Sequence, residues 1–203
     1  MISVHIISKS EERTSERYYK CLESLKDEPV NVVHADYVDG VGNARVSAIK
    51  KSRGEWISWI DPDDYVIDHG FSVCWELILS NPNCSAVYTN HWIAEKGEII
   101  KPWFHSLASG KGFSQCVQMH HLVVYRKSII EHELEYMRGV NTIDKKLFNL
   151  ASICKGKVIG TDKSYYMWNK DGNQNHLKYT IKDNPKKWLD RVNYYKRKIR
   201  GKI

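Results

Sequence analysis

The sequence predicts an α/β fold: a single domain on a mostly parallel central sheet flanked by helices, followed by a basic helical tail. Three observations carry that expectation. Strand-like and helix-like apolar patterns alternate through residues 2–60, the order expected of a parallel sheet covered by helices. The run "EWISWI" is apolar at nearly every position, as a strand buried on both faces must be. The 203 residues suit one domain with a sizeable core, near the upper end of what a single core holds.

The elements follow in order. "ISVHIIS" (2–8) reads as a strand. "SERYYKCLESLK" (15–26) reads as a helix with Tyr18, Leu22 and Leu25 on one face and Ser15 as its cap. "PVNVVHADY" reads as the second strand, and "NARVSAIKKSRG" as a short helix stopped by Gly54. "EWISWI" is the third strand, and it runs straight into "DPDD". In open sheets of this kind ligands bind outside the carboxyl ends of the strands. That places Asp61, Asp63 and Asp64 at the mouth of the crevice.

Three carboxylates there suggest a cation. Asp61 and Asp63 can converge across Pro62, whose fixed backbone stiffens the turn. Hard oxygen ligands suit Mg²⁺ or Mn²⁺, which bind through one or two carboxylates plus substrate phosphates. A nucleoside diphosphate would complete such a shell. The alternative is that these acids solvate a loop, with Asp64 capping the next helix.

Composition narrows the classes. With 42% hydrophobic and 11% aromatic residues, the chain is expected to be globular and not disordered. No apolar run approaches the roughly 18–20 residues of a membrane span, and the N-terminus has neither a basic leader nor a cleavable apolar stretch. The five cysteines are scattered, odd in number and never in a C-x-x-C arrangement, which argues against a disulfide framework and a zinc site. A cytoplasmic protein is the expectation. The net charge of +7 lies wholly in the segment from Thr180 onward, which holds nine basic residues against two acidic ones. The chain therefore divides into a neutral body, residues 1–179, and a basic amphipathic tail, residues 180–203.

"GNARVSAIKKSRGEWISWIDPDDYV" resembles the central signature of family 2 glycosyltransferases of the GT-A, Rossmann-like fold. Ala44, Arg45, Ile49, Gly54, Glu55, Ile57, Trp59, Ile60, Asp61, Asp63 and Asp64 fit that signature. Val46, Ala48 and Ser52 replace its usual Asn, Gly and Ala. "ISVHIIS", "YYKCLESL", "NPNCSAVYTNH", "HHLVVYRKSII" and "YYMWNKDGNQNH" resemble further family segments, so the likeness runs from residue 1 to about 176. One departure stands out: only "VDGVG" separates the second strand from "NAR", where the family has an additional helix and strand.

The resemblance implies a metal-dependent, inverting glycosyltransferase using a nucleotide-sugar donor, a UDP-sugar favoured, with Mn²⁺ or Mg²⁺. Glycosyl transfer builds charge on a diphosphate leaving group, and a divalent ion neutralises it. Asp63 would hold that ion, with Asp61 directed at the metal or the ribose. Arg45 would lie near base or phosphate, and Ser8 would pass under the nucleotide through its backbone. Asp36, or else Asp39, would read the base. Asp144, ahead of the apolar pattern Leu147, Phe148, Leu150, Ala151 and Ile153, matches the family's general base; a first-turn helix acid is the competing reading. His176 closes a loop where some enzymes of this fold place a third metal ligand. His120 and His121 precede the "LVVYR" strand, where polar-loop histidines are commonly solvated.

For the acceptor the tail is the clue. Trp188, Val192, Tyr195 and Ile199 recur at helical spacing among lysines and arginines. Such a helix can grip a phosphate backbone or lie on an anionic membrane surface, or its apolar face can pack on the body. The compact chain resembles phage enzymes that glycosylate hydroxymethylated DNA bases, which makes DNA the favoured acceptor and Trp92, Trp103, Phe104 or Phe113 candidate linings for an extruded base. A membrane-surface enzyme of cell-envelope polysaccharide synthesis is the alternative. A non-catalytic nucleic-acid-binding protein on a degenerate transferase scaffold is the third reading.

Overall fold

A computed structural model describes residues 1–37, 40–103, 119–140, 144–170 and 185–203. The strands are β1 (Ile2–Ser8), β2 (Val30–Asp36), β3 (Trp56–Ile60), β4 (Tyr65–Val66), β5 (Cys84–Glu95), β6 (Glu98–Trp103), β7 (Val123–Arg126) and β8 (Lys157–Asn169). The helices are α1 (Glu16–Glu23), α2 (Val41–Lys51), α3 (Gly70–Ser80), α4 (Lys127–Ile130), α5 (Leu134–Met137), α6 (Asp144–Lys155) and α7 (Pro185–Ile199). Short 3₁₀ turns cover Glu11–Thr14 and Glu131–Glu133. The strands form one sheet in the order β2-β1-β3-β7-β5-β8-β4, with β6 on β5. The longest ladders, β1 with β2 and β5 with β8, are parallel, and so is β1 with β3. Strand β7 runs antiparallel between β3 and β5.

The apolar run of β3 has a direct cause. Trp56 and Ile60 belong to a core cluster with Tyr18 and Cys21 of α1 and Phe71, Cys74 and Ile78 of α3. Ile57 and Trp59 belong to a second cluster with Val46 and Ile49 of α2 and with residues of α6 and α7. Successive side chains point to opposite faces, both faces are covered, and every residue of β3 is buried. In β1 the same alternation sends Ile2, Val4 and Ile6 to the α1/α3 cluster. The buried Ser3 and His5 alternate with them and are hydrogen-bonded: the Gly54 N–H donates to Ser3 Oγ at 3.1 Å, and His5 Nε2 lies 2.6 Å from Ser52 Oγ.

Two local expectations change. Helix α2 ends at Lys51, and its last turn is closed by the Ser52 N–H to the Ile49 carbonyl. Gly54 is therefore not the helix stop. A Cβ there would meet the Met1 carbonyl oxygen at 2.6 Å and Ser3 Oγ at 2.9 Å, so glycine is required by close approach of the chain to β1. Nor does Asp64 cap the next helix, since α3 follows His69. Ser15 does cap α1, its side chain accepting from the Tyr18 N–H.

Helix α7 docks on α6. Its Trp188, Val192 and Tyr195 are buried in the same cluster as Leu147 and Phe148. Beneath it lies the fully buried carboxylate of Glu133, which accepts from Arg191 Nε at 2.8 Å and Arg191 Nη2 at 2.9 Å, from Tyr195 Oη at 2.5 Å and from Lys155 Nζ at 3.0 Å. Among the described residues no helix is long and apolar enough to cross a membrane. Cys21, Cys74, Cys84 and Cys154 are free thiols.

Candidate active site

The carboxyl ends of β1, β2 and β3 make one rim. Ser8 and Asp36 are register partners at the ends of β1 and β2. Arg13, from the 3₁₀ turn, spans them: its Nε donates to Ser8 Oγ at 2.9 Å and its Nη2 to Asp36 Oδ1 at 2.6 Å. The Asp36 carboxylate stands open to solvent there, and Ser8 is buried.

Next along the rim, β3 delivers Asp61 into a tight turn closed by the Asp64 N–H to the Asp61 carbonyl at 3.0 Å. Asp64 is buried and both of its oxygens are used. Oδ2 accepts from Tyr166 Oη at 2.7 Å, and Oδ1 accepts from the Asn169 N–H at 2.8 Å. Asn169 Nδ2 also donates to the Asp63 carbonyl at 2.5 Å, and the Asp61 N–H donates to Tyr166 Oη at 3.3 Å. The end of β8 thus staples the acidic turn to the sheet. Burial, and then the charges of Asp61 and Asp63, push the Asp64 carboxyl well above the usual carboxylate range. Burial and the Asp61 charge raise Asp63 to about 6. Its carboxyl gains from any cation brought near it.

Asp61 is different. Its carboxylate is 41% exposed, with Oδ2 3.4 Å from His121 Nε2 and 4.0 Å from Lys145 Nζ. Burial works to raise its pKa, but the Lys145 ammonium, His121 and Arg45 overcome that and hold it well below the carboxylate range. His121 arrives because β7 is antiparallel, so it begins where β3 ends; continuing the pairing of Ile57 with Tyr125 sets Asp61 opposite His121. The imidazole stacks on Tyr166, ring centroids 4.5 Å apart and planes 4° from parallel. Burial, then Lys145, lowers its pKa to about 3, so the ring is neutral. Its Nε2 lies 2.5 Å from Lys145 Nζ. An ammonium only donates, so with Lys145 bonded to Nε2 the ring hydrogen lies on Nδ1, whereas with the hydrogen on Nε2 the ring donates to Asp61 instead.

Asp61, Asp64 and His121 each present one ligand atom, all within 4.8 Å of one another. Two carboxylate oxygens and one imidazole nitrogen form a donor set suited to a divalent cation. Asp63 is not in that set. Arg45, on α2, is buried with its guanidinium 4.2 Å from the centroid of the Trp59 ring, and its charge reaches Asp61 and His5. Asp144 is the first residue of α6, the helix whose second residue, Lys145, meets Asp61. Trp92 lies in β5, paired with Pro102 and Met167. Trp103 ends β6. His176, Asp39, Phe104 and Phe113 lie outside the described residues.

Sequence reasoning missed Arg13, His121 as a partner of Asp61, and Lys145. The position beside Asp144 was the signal available for Lys145; the meeting of His121 with Asp61 follows from the antiparallel direction of β7, which no local pattern carries.

A sheet with an acidic turn at the open end of its third strand, covered by helices on both faces, defines the GT-A class of glycosyltransferase fold. Residues 4–134 match the family described as Glycosyl transferase family 2, and the chain belongs to that family. Among solved structures it is similar to TarS of S. aureus. To residues 1–349 of TarS in complex with UDP-GlcNAc the TM-score is 0.71 at 14% identity, covering 98% of this chain and 66% of that one. To the same TarS segment in complex with UDP it is 0.68 at 13% identity, covering 96% and 64%. The chain thus spans slightly less than two-thirds of each of these relatives. At such identity the likeness establishes the fold. No curated protein sequence matches the chain.

Proposed function

We propose that the protein transfers a sugar, with inversion, from a nucleotide-sugar donor to an acceptor hydroxyl, in a body of residues 1–179 carrying a basic tail of residues 180–203. The observation that carries this reading is the acidic turn Asp61-Pro62-Asp63-Asp64 at the open end of β3, held by Tyr166 and Asn169 and faced by His121 and Lys145. Uridine diphosphate is the favoured nucleotide, since the similar TarS structures hold UDP-GlcNAc and UDP.

The residues then divide the work. The open rim at Ser8, Arg13 and Asp36 receives the nucleoside, with Asp36 as acceptor for base or ribose donors. Arg45 lends positive charge from behind Trp59. Asp61, Asp64 and His121 would hold Mn²⁺ or Mg²⁺, with Asp63 beside them and His176 as a further ligand; a bound ion there would supply charge neutralisation for the departing diphosphate. Asp144, at the start of α6, takes the proton from the acceptor hydroxyl.

The acceptor we favour is a hydroxymethylated base of DNA. Lys186, Lys187, Arg197, Lys198 and Arg200 are exposed on and just beyond α7, a basic face suited to phosphates. Trp188 and Val192 are buried against the body, which leaves the helix no broad apolar face for a membrane. Intact carboxylates at the turn speak against a non-catalytic scaffold.

The test is calorimetric titration of UDP with and without Mn²⁺, followed by transfer assays. Metal should tighten UDP binding, and Asp61→Asn should remove most of that gain. Asp144→Asn should leave UDP affinity nearly unchanged and lower turnover by roughly two to four powers of ten, the scale of general base catalysis. Equal UDP binding with and without metal would overturn the metal assignment; no binding of any nucleoside diphosphate would overturn the donor assignment.

A further inference from the structure

Lys145 is placed where a cation is most needed. It sits in the first turn of α6 with its side chain only 17% exposed, Nζ 2.5 Å from His121 Nε2, 4.0 Å from Asp61 Oδ2 and 5.9 Å from the centroid of the Trp59 ring. Three carboxylates, from Asp61, Asp63 and Asp64, crowd the same turn. The lone pair of His121 Nε2 can be given to the Lys145 ammonium or to a metal ion, but not to both at once. A lysine ammonium is a compact point charge on a flexible stem, and the Asp61 carboxylate 4.0 Å from it is 41% exposed, so solvent reaches the place where the two charges meet. Any anion bound over the acidic turn would meet it there.

We propose that Lys145 is a diphosphate-binding residue and the resident cation of this site: it neutralises Asp61 and occupies His121 until the donor arrives, then engages the donor's diphosphate and its developing charge during departure. The proposal rests on the donor reading given above and adds a group to it. Two consequences follow. Diphosphate binding has a component independent of metal, and Lys145 competes with metal for His121 while the donor is absent. The charge-assisted bond lost on removing the ammonium corresponds to about a ten- to hundredfold change in affinity.

The experiment uses the full chain and Lys145→Met, which keeps a long side chain and helix propensity, with Lys145→Arg as a charge-retaining control. UDP and uridine are titrated in EDTA, and Mn²⁺ is titrated alone, free ion being read by electron paramagnetic resonance. Lys145→Met should weaken UDP binding about ten- to hundredfold, leave uridine binding unchanged, and tighten Mn²⁺ binding in the absence of nucleotide. Lys145→Arg should recover part of the UDP affinity. If Lys145→Met binds UDP as the wild type does, or loses uridine and UDP affinity equally, the assignment of Lys145 falls while the donor reading stands. If the wild type binds no nucleoside diphosphate, the two fall together. If UDP weakens but Mn²⁺ affinity is unchanged, the competition for His121 is wrong. Matching circular dichroism melts establish that the variants are folded.

Discussion

His5 lies fully buried in β1, its Nε2 2.6 Å from Ser52 Oγ. Burial, and then the charges of Arg45 and Lys127, lowers its pKa to about 3. The unfolded chain therefore binds a proton at His5 below about pH 6.5 that the native state refuses until about pH 3. Stability from this group is complete above pH 6.5 and is lost as the pH falls, at about 1.4 kcal/mol per unit, or about 2 kcal/mol by pH 5. Urea unfolding at pH 7 and pH 5 should show the wild type losing more stability than His5→Gln by about that amount; equal losses would mean that the imidazole is charged or solvated in the native state. The acidic turn shows what can be read at this scale. The pattern D-x-D-D marks a cation-seeking turn from sequence alone. Which carboxylate stays open is set elsewhere: Tyr166 and Asn169, about a hundred residues downstream, each donate one hydrogen bond to the buried Asp64 carboxylate, while Asp61 remains accessible. No local pattern carries that information.

Helix α7 is held to the body by a buried carboxylate as well as by apolar packing. Burial works to raise the pKa of Glu133, but Arg191, Tyr195 and Lys155 outweigh it and keep the group ionised. Glu133→Ala would strand Arg191 and Lys155 without their counter-charge. Removing one partner of a buried pair costs about 3–5 kcal/mol, and solvent around Arg191, whose side chain is 26% exposed, places this case at the lower end, about 3 kcal/mol. Glu133→Gln, which preserves the shape and some hydrogen bonds, should cost less. Chemical denaturation of both variants checks this, and an Ala variant within about 1 kcal/mol of wild type would show that the pair adds little to docking. At this scale the strands β1, β2 and β3 and the helices α1 and α2 were legible, because period and caps are local. The covering of α7 was not: spacing identifies an apolar face, but Trp188, Val192 and Tyr195 find their partners on α6 only once the chain has folded. The direction of β7 was equally hidden, and with it the meeting of His121 and Asp61, since a four-residue apolar strand reads the same either way along the sheet.

Across the whole molecule the charge is segregated, with the entire net +7 in the last 24 residues. That asymmetry was readable from composition, but its use in an experiment depends on the structure. Deleting α7 would expose the core that Trp188, Val192 and Tyr195 cover, so a truncated chain would report on folding and not on binding. Replacing the exposed Lys186, Lys187, Arg197, Lys198 and Arg200 by glutamine removes five charges and leaves the buried face untouched. If these side chains contact DNA phosphates, log affinity should fall linearly with log salt, at about −0.9 per phosphate neutralised. The fivefold variant should then flatten that slope by up to about 4.5 units, impair transfer to hydroxymethylated DNA, and spare hydrolysis of the nucleotide sugar at the acidic turn. Sedimentation with anionic vesicles is the contrasting measurement. Leu189 and Ile203 are the exposed large hydrophobics among the described residues of this region, at 49% and 62%, too few for a membrane-embedded face, so any vesicle binding should also be electrostatic and vanish at high salt. A salt slope unchanged by the five substitutions would remove the tail from DNA binding. Vesicle binding that survives high salt, with weak DNA binding, would replace the DNA acceptor by a lipid-linked one and leave the transfer chemistry at Asp61 and Asp144 as proposed.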